Sequence, residues 1–503
     1  MKNSARVNFR EAGKEAQAQD AAAVATQQSA LAPEDAPAPA APEQGSFNWY
    51  KNWYPVAIAD DLDPLKPFAT KLLGKELVVW RDAEGQWRCF QDKCPHRLAP
   101  LSEGRIEPSD GTLQCSYHGW RYSGSGTAAA IPQAHFDGEQ VERTAIASKR
   151  SCVASYPTQV LLGMIWVWPE SGLVAFIESA AVEPAVNQRV RDIDPGKVAL
   201  TTNQNYVRDF TVAYDILYEN ISDQSHVPFA HHGVANNRTS PWAAHFAVTN
   251  VKGDLGSADG YMYDLEWSPD AINPPIRQRV RGVPPTYIEY FTPKENGAFT
   301  ALWFHVVPLD EHTTRVFNHA VIVQPMHPAL KALAAARPRW IDHMLLNEIF
   351  DGDMAYLAKA SQYAKERDPG GNTWAQDYYL PAGADKSAIA FRKWYHGRGA
   401  GGYVRAAGGT PSRPPQLTRE QIMDRWHQHT AHCPSCSKAL ARARGGQQVM
   451  AALAAAMVLL TAARLGVGAA PASLAAIGPM AAAAGALAFS RLLTRKLQAW
   501  IWR

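Results

Sequence analysis

Two segments of the chain each place a cysteine two or three residues before a histidine. The first segment contains Cys94 and His96, and the second contains Cys115 and His118. A cysteine thiolate and a neutral imidazole are both good ligands for transition metals. Four such ligands, supplied by two segments, can hold a metal centre.

The order of the ligands distinguishes between two kinds of centre. A Rieske [2Fe-2S] cluster has two cysteines on one iron and two histidines on the other, and a structural zinc ion accepts the same donors. Zinc fingers usually supply both cysteines before both histidines, whereas each segment here supplies one of each. The local pattern therefore favours the Rieske cluster, with zinc as the alternative.

A second group of metal-ligating residue types lies at residues 219–232, where three histidines and two carboxylates occur. His226 and His231 are five residues apart, which is about 140° around a regular helix. Pro228 lies between them and is expected to break the regular turn. The break lets both imidazoles converge, and one carboxylate would then complete a 2-His-1-carboxylate site for non-haem Fe(II).

A candidate for that carboxylate lies in a helical pattern further along the chain. Leu346, Phe350, Asp353 and Leu357 follow the spacing of one helical face. Asp353 therefore lies on an apolar face, where an unpaired charge is costly unless a metal or a basic partner compensates it. Asp351 is expected off this face. A salt bridge from Asp353 to an arginine or lysine is the alternative to iron.

The elements that position these residues follow from the pattern along the chain. Residues 47–168 contain short β-like runs between turns, and both Cys/His segments lie at or beside the ends of these runs. Residues 169–395 mix strands with helices, including a predicted antiparallel pair at 301–307 and 315–324 and a helix over 341–365. The predicted fold class is α+β, with an all-β domain followed by a mixed antiparallel-sheet and helix domain.

The two ends of the chain differ in composition from the middle. Residues 1–46 are poor in large apolar side chains, which predicts a disordered leader that could include the remnant of a transit peptide. Residues 396–447 begin with many glycines and prolines and are predicted to form a linker. Residues 448–503 contain two apolar stretches with basic residues on their outer flanks, which predicts a membrane anchor in the form of a helical hairpin. Two buried Ala-rich helices are the alternative.

The composition of the chain excludes some classes of function. The chain has 503 residues, enough for two or three folded units, and a net charge of only +3. The basic residues are dispersed, so nucleic acid is not an expected partner. The 6 cysteines are too few for a disulfide scaffold and suit metal or redox thiols.

These motifs together resemble the Rieske non-haem iron oxygenases, and within them the chloroplast branch that contains pheophorbide a oxygenase. The resemblance extends over residues 47–500. It is carried by the segments at 94–104, 115–120, 131–134, 220–232 and 351–354.

The resemblance implies a role for several residues. It implies a Rieske [2Fe-2S] cluster on Cys94, His96, Cys115 and His118. It implies a mononuclear non-haem Fe(II) on His226, His231 and Asp353. Asp223 matches the carboxylate that joins a cluster histidine of one subunit to an iron-ligand histidine of the next in a ring-shaped homotrimer, with an ordinary surface role as the alternative. Asn220 matches a residue beside the iron, with a plain helix or turn role as the alternative.

The resemblance also implies an activity and a location. It implies a membrane-bound monooxygenase that uses O2 and electrons from reduced ferredoxin to open the tetrapyrrole ring of pheophorbide a in chlorophyll breakdown. The alternatives are a protochlorophyllide or chlorophyllide a oxygenase, a phyllobilin hydroxylase, and a redox-sensing component of an envelope import complex. The implied location is a chloroplast membrane, inner envelope or thylakoid, with both ends and the catalytic domains on the stromal side.

Two further cysteines, Cys433 and Cys436, are also typical of this branch. Thiols at this spacing can close a disulfide, which predicts a redox switch with thioredoxin as a candidate partner. Three histidines are close in sequence, His427, His429 and His432. Zinc binding by the two thiols with these histidines is the alternative.

Overall fold

The computed structural model describes residues 47–194, 197–240, 243–252, 260–267, 275–367, 374–466 and 474–501. The predicted leader at 1–46 lies outside the described residues. So do residues 467–473, which are most of the span 464–473 predicted to contain the turn of the C-terminal hairpin.

The region that carries both Cys/His segments contains three small antiparallel sheets, with the strand orders β1-β11-β10, β2-β3-β4-β9 and β5-β6-β7-β8. The strands are β1 (Tyr54–Ile58), β2 (Phe68–Leu72), β3 (Lys75–Arg81), β4 (Trp87–Gln91), β5 (Arg105–Ile106), β6 (Leu113–Gln114), β7 (Arg121–Tyr122), β8 (Ala128–Ala130), β9 (Ser155–Tyr156), β10 (Thr158–Leu161) and β11 (Met164–Val167). Two short helices, α1 (Pro132–Asp137) and α2 (Glu139–Ile146), interrupt this predicted all-β region.

A seven-stranded antiparallel sheet follows, in the order β12-β18-β17-β16-β15-β14-β13. Its strands are β12 (Val198–Phe210), β13 (Phe246–Lys252), β14 (Tyr261–Trp267), β15 (Ile276–Val283), β16 (Tyr287–Pro293), β17 (Phe299–Pro308) and β18 (Thr314–Val323). The predicted antiparallel pair is confirmed as β17 and β18, which pair along their full lengths.

The large sheet is covered on both faces, so most side chains of β17 and β18 are buried. On one face, Arg315 donates a 2.7 Å hydrogen bond to the carbonyl of Val56 in the first region. On the other face, Tyr206 stacks on Phe350, with ring centroids 5.7 Å apart. The sheet is therefore packed between the first region and a long helix.

That helix is α8 (Arg339–Arg367), which confirms the helix predicted over 341–365. The other α-helices over the described part of residues 169–396 are short to medium in length. They are α3 (Leu173–Ala181), α4 (Gln188–Arg191), α5 (Tyr214–Ser222), α6 (Val227–Ala230), α7 (Pro328–Ala335), α9 (Trp374–Asp377) and α10 (Lys386–His396).

The segment predicted as a linker, 396–447, is folded against the rest of the chain. It contains α11 (Tyr403–Ala406), α12 (Arg419–Ile422) and a π-helical turn (Trp426–Thr430). The indole of Trp49 donates to the carbonyl of Gly399 at 3.0 Å, which shows how the glycine-rich stretch is held. The glycine content predicted a linker in this segment. Close backbone packing explains the glycines better, because a Cβ atom on Gly397 or Gly399 would lie 2.8 Å from a backbone carbonyl oxygen.

Two long helices end the described chain, α13 (Pro434–Gly466) and α14 (Leu474–Ile501). Gln447 donates to Thr494 at 2.5 Å, so the helices lie side by side. Over the described residues, one helical segment, Pro434–Ala463, is long and apolar enough to cross a membrane, and its most apolar window is 11% buried.

Candidate metal centres and active site

The two Cys/His segments fold into loops with the same hydrogen-bonded frame. The amide of Cys94 donates to the carbonyl of Ala99 at 2.8 Å, and the amide of Cys115 donates to the carbonyl of Trp120 at 2.9 Å. Four residues after each cysteine the backbone has a positive φ, 61° in the first loop and 75° in the second, where Gly119 adopts it without strain. Two equivalent loops can therefore supply equivalent pairs of ligands.

The cysteines and histidines of these loops differ in exposure. Cys94 and Cys115 are each 1% exposed, whereas His96 and His118 are partly exposed. The two imidazole centroids lie 4.4 Å apart, and Trp120 stacks on His96. Nδ1 of His96 is buried without a hydrogen-bond partner among the described residues. This donor set fits a cluster with a buried cysteine-bound iron and a histidine-bound iron near the surface.

Two polar side chains that the sequence did not predict support the loops. The hydroxyl of Tyr122 lies 3.0 Å from Sγ of Cys94. Gln133, in α1, donates to the main-chain carbonyl of His118 at 2.8 Å. The helix that interrupts the β region therefore fixes the loop of one candidate ligand.

The second group of ligands converges as expected from the break at Pro228. His226 precedes the short helix α6 and His231 follows it, and their ring centroids are 5.2 Å apart. From α8, Asp353 places Oδ2 at 3.4 Å from Nε2 of His231 and Oδ1 at 3.7 Å from Nε2 of His226. Ligand atoms of the three residues all lie within 4.8 Å of one another. Two imidazoles and one carboxylate at such separations fit a single non-haem iron.

The predicted apolar face of α8 is buried, as Leu346, Phe350 and Leu357 are each less than 8% exposed. Asp353, on the same face, is 2% exposed. Among the described residues, its ion pairs are to the two histidines, with no arginine or lysine. The hydroxyl of Tyr356, one turn later, donates to Oδ1 of Asp353. Tyr356 was not predicted as a site residue, although its spacing of three residues on a helix is the usual one for such a contact.

Asp351 contacts different residues from Asp353, as expected for a position off that face, but it is also buried. Oδ1 of Asp351 lies 2.8 Å from Nη1 of Arg208, and Oδ2 accepts a 2.7 Å hydrogen bond from Nε of Arg425. A salt bridge to arginine was the alternative to iron for Asp353, and in the structure Asp351 makes this kind of salt bridge instead. Asp351 is buried because α8 is covered on a second side by the C-terminal segment that contains Arg425.

Asp223 and Asn220 both lie beside His226. Nδ2 of Asn220 is 3.5 Å from Nε2 of His226, and Oδ2 of Asp223 is 3.5 Å from Nδ1 of the same ring. The other carboxylate oxygen of Asp223 accepts hydrogen bonds from the amide and hydroxyl of Ser225, at 2.8 and 2.7 Å. The side chain of Asp223 is 28% exposed, so a group from outside this chain can reach it.

The two candidate histidine ligands have pKa values shifted in opposite directions. Burial lowers the pKa of His226, but the hydrogen bond to Asp223 and the charge of Asp353 outweigh burial and raise it. Burial also lowers the pKa of His231. The negative charge of Asp353 raises this pKa by less, so the net effect is a lowered pKa. Asp223 therefore gives the two imidazoles different electronic environments.

The structure brings Cys433 and Cys436 together with two histidines. These are His429, from the π-helical turn, and His343, from α8, and ligand atoms of all four residues lie within 4.8 Å of one another. The exposed side chain of His427 instead contacts the carboxylate of Asp424. The sequence did not identify His343, because it lies far from the cysteines along the chain.

The chain is similar to a known domain family in its first region and to known proteins over most of its length. Residues 52–157 match the family described as "Rieske [2Fe-2S] domain". A flavonoid 8-hydroxylase of Ocimum basilicum is 35% identical over 82% of this chain and 79% of its own length. Chloroplastic pheophorbide a oxygenase of Arabidopsis thaliana is 34% identical over 79% of this chain and 74% of its own length.

The fold is also found among solved structures. Dicamba monooxygenase bound to dicamba superposes with a TM-score of 0.52, at 20% identity, over 70% of this chain and 98% of that chain. At this identity the likeness concerns the fold alone. The relatives of higher identity, together with the two donor sets, show that this chain is an oxygenase with a Rieske [2Fe-2S] cluster and a mononuclear iron, and that it belongs to the Rieske non-haem iron oxygenases, in the branch that contains chloroplast pheophorbide a oxygenase.

Proposed function

We propose that this protein is a ferredoxin-dependent Rieske monooxygenase that acts on a chlorophyll-derived tetrapyrrole, with the oxygenolytic opening of pheophorbide a as the reaction. The observation that carries the proposal is the 34% identity to pheophorbide a oxygenase over 79% of the chain. This similarity extends well beyond the matched Rieske region at 52–157 and includes the segment that supplies the second donor set.

In the proposed enzyme, His226, His231 and Asp353 hold the iron. An iron in such a site supplies O2 activation when electrons reach it singly from the cluster. Three ligands leave other coordination positions open for the reactants. Tyr356 donates to Oδ1 of Asp353 and so orients the carboxylate towards the two imidazoles. Overall, two electrons and two protons reduce one atom of O2 to water while the other atom enters the substrate. Opening the ring at a carbon–carbon double bond gives two carbonyl groups, and the second carbonyl oxygen comes from addition of water.

Cys94, His96, Cys115 and His118 hold the cluster in this proposal. Asp223 connects the two centres between subunits, because it contacts His226 on one side and is partly exposed on the other. A carboxylate that accepts a hydrogen bond from an imidazole fixes its tautomer and orientation. This role requires a second copy of the chain, and we propose a homotrimer.

Membrane attachment is proposed for α13 and α14. Large apolar side chains on α13 are exposed, including Val458 at 55% and Leu459 at 71%. Exposed apolar surface of this kind is costly in water and is favourable in a bilayer. Within the two helices, basic residues flank the apolar stretches on their outer sides, which would place both flanks on the stromal face of a chloroplast membrane. The active site would then lie close to apolar pigments.

A second candidate substrate is a flavonoid. It is favoured by the flavonoid 8-hydroxylase, which is 35% identical over 82% of the chain. Hydroxylation of an aromatic ring uses the same two centres and the same balance of O2, electrons and protons. The two candidates therefore differ in the substrate pocket and not in the ligands.

The test is turnover by full-length protein, purified without oxygen, with reduced ferredoxin, O2 and one substrate at a time. We expect a ring-opened product from pheophorbide a, identified by mass spectrometry with one oxygen atom from 18O2. Product from a flavonoid alone, or from chlorophyllide a or protochlorophyllide a alone, would contradict the proposed substrate. Electron transfer without product from any of them would favour the redox-sensing alternative.

The residue assignment is tested with Asp353→Ala and a matched control, Glu366→Ala, an exposed carboxylate on the same helix. We expect Asp353→Ala to keep the EPR signal of the reduced cluster but to lose mononuclear iron and turnover. Glu366→Ala is expected to keep all three. Turnover retained in Asp353→Ala would show that another residue completes the iron site.

A further inference from the structure

The buried group of His343, His429, Cys433 and Cys436 has no part in the proposed reaction. Every member is less than 5% exposed. The four residues come from α8, the π-helical turn and the start of α13, and they meet beside β12. Ligand atoms of the two thiols and two imidazoles lie within 4.8 Å of one another, so these buried groups can share one metal ion as a common partner.

Three nitrogen–sulfur distances within this group are close to the edges of one tetrahedron, and all four donor atoms lie within 4.8 Å of one another. Nε2 of His429 lies 3.3 Å from Sγ of Cys436, and Nδ1 of His343 lies 3.5 Å from each sulfur. In a tetrahedral zinc site, with Zn–S of about 2.3 Å and Zn–N of about 2.0–2.1 Å, nitrogen and sulfur are separated by about 3.6 Å. The four donor atoms are therefore spaced to bind one ion.

The tautomer of His429 also suits a metal. Its Nδ1 lies 2.6 Å from the carbonyl oxygen of Val207 in β12. A carbonyl can only accept, so Nδ1 carries the proton and Nε2 presents a lone pair towards Cys436. Metal-bound histidines are commonly oriented in this way by a backbone carbonyl.

Burial argues against the alternative of a thioredoxin-dependent switch. Thiol–disulfide exchange requires a thiolate of the partner to reach one of the sulfurs. Cys433 is 4% exposed and Cys436 is 0% exposed. A switch would also leave two converging buried imidazoles without a function.

We propose that His343, His429, Cys433 and Cys436 form a structural Cys2His2 zinc site. Two thiolates and Zn2+ are together neutral, which suits a buried position. Four protein ligands fill the tetrahedron, so the site is closed and not catalytic. It joins the start of the candidate membrane helix α13 to α8, the helix that supplies Asp353.

The first test is metal analysis of the full-length protein, purified without chelators. We expect about one zinc ion per chain in addition to the iron of the two other centres. Cobalt exchanged into the site should give the visible bands of tetrahedral Co2+ and a sulfur-to-cobalt charge-transfer band. Absence of zinc together with a Cys433–Cys436 disulfide in mass spectra would overturn the proposal.

Variants then locate the ion. We expect His343→Ala and Cys436→Ser to lower the zinc content at least about tenfold, while Cys152→Ser, a cysteine outside the group, keeps it. Asp353→Ala should also keep zinc, which excludes zinc bound in place of iron. Zinc retained in both His343→Ala and Cys436→Ser would place the ion elsewhere.

A conservative variant tests the assignment even if His343→Ala and Cys436→Ser do not fold. His343→Cys converts the site to Cys3His, which also binds zinc, and should restore both zinc and solubility. Loss of zinc in a soluble His343→Cys protein would contradict the assignment of His343. The cluster EPR signal and turnover, measured on the same samples, report separately on the proposed oxygenase.

Discussion

Gly352 approaches Ala230 so closely that a Cβ atom on Gly352 would lie 2.6 Å from the Ala230 carbonyl oxygen. The same Cβ would lie 3.1 Å from Nδ1 of His231. The backbone carbonyl cannot move away without moving His231, because the two residues are adjacent. The absence of a side chain at 352 therefore allows the histidine loop and α8 to meet at the proposed iron site.

Gly352→Ala is expected to separate His231 from Asp353. Overpacking of this kind costs about 1–3 kcal/mol, and the displacement should lower iron content and turnover while the EPR signal of the cluster persists. Gly383→Ala is the control, because a Cβ at Gly383 meets no atom within 4 Å among the described residues. Normal iron content in Gly352→Ala would show that the loop can adjust.

Asp351→Ala is expected to destabilise the protein, in contrast to Asp353→Ala. Removing the Asp351 carboxylate leaves Arg208 and Arg425 buried without their shared partner. Breaking a buried pair in this way costs about 3–5 kcal/mol. Urea unfolding followed by circular dichroism should show the loss, and equal stability of the two variants would contradict this distinction.

Tyr122→Phe is expected to lower the reduction potential of the cluster. The hydroxyl lies 3.0 Å from Sγ of Cys94, and hydrogen bonds to sulfur stabilise the more negative reduced state. A redox titration monitored by EPR measures the change. Tyr117→Phe is the matched control, because this tyrosine lies in the second loop and is 62% exposed. An unchanged reduction potential in Tyr122→Phe would show that the contact between the Tyr122 hydroxyl and Cys94 does not influence the potential.

His305 is expected to make stability depend on pH. Burial holds its pKa well below the usual range, and the ring packs edge-on against Trp166. The unfolded chain therefore binds a proton below about pH 6.5 that the folded chain does not, so stability is present above this pH and falls by about 1.4 kcal/mol per pH unit below it. His305→Gln should reduce this dependence between pH 6.5 and 5, measured by urea unfolding. An identical pH profile in both proteins would contradict the assignment.

The sequence predicted those parts of the site that depend on local pattern. The buried position of Asp353 follows from helical periodicity, and the convergence of His226 and His231 follows from the break at Pro228. The β17–β18 pair could be predicted because β-branched and aromatic residues dominate both strands.

Features that depend on distant contacts could not be predicted in this way. Asp351 is buried because Arg425, from a segment predicted to be a linker, covers that side of α8. His343 meets Cys433 and Cys436 only because α13 begins next to α8. Periodicity describes one element at a time and carries no information on which elements meet.

The path of α8 connects two parts of the enzyme that have separate tasks. Near its first turn, the amide of Trp340 donates to the hydroxyl of Ser435, in the first turn of α13, at 3.2 Å. Asp353 lies about 20 Å further along the same continuous helix. Because an α-helix transmits displacement along its axis, the proposed insertion of α13 in a bilayer would couple a shift of α13 to the position of the carboxylate at the proposed iron site. The rate of oxygenation would then depend on the thickness and tension of the membrane.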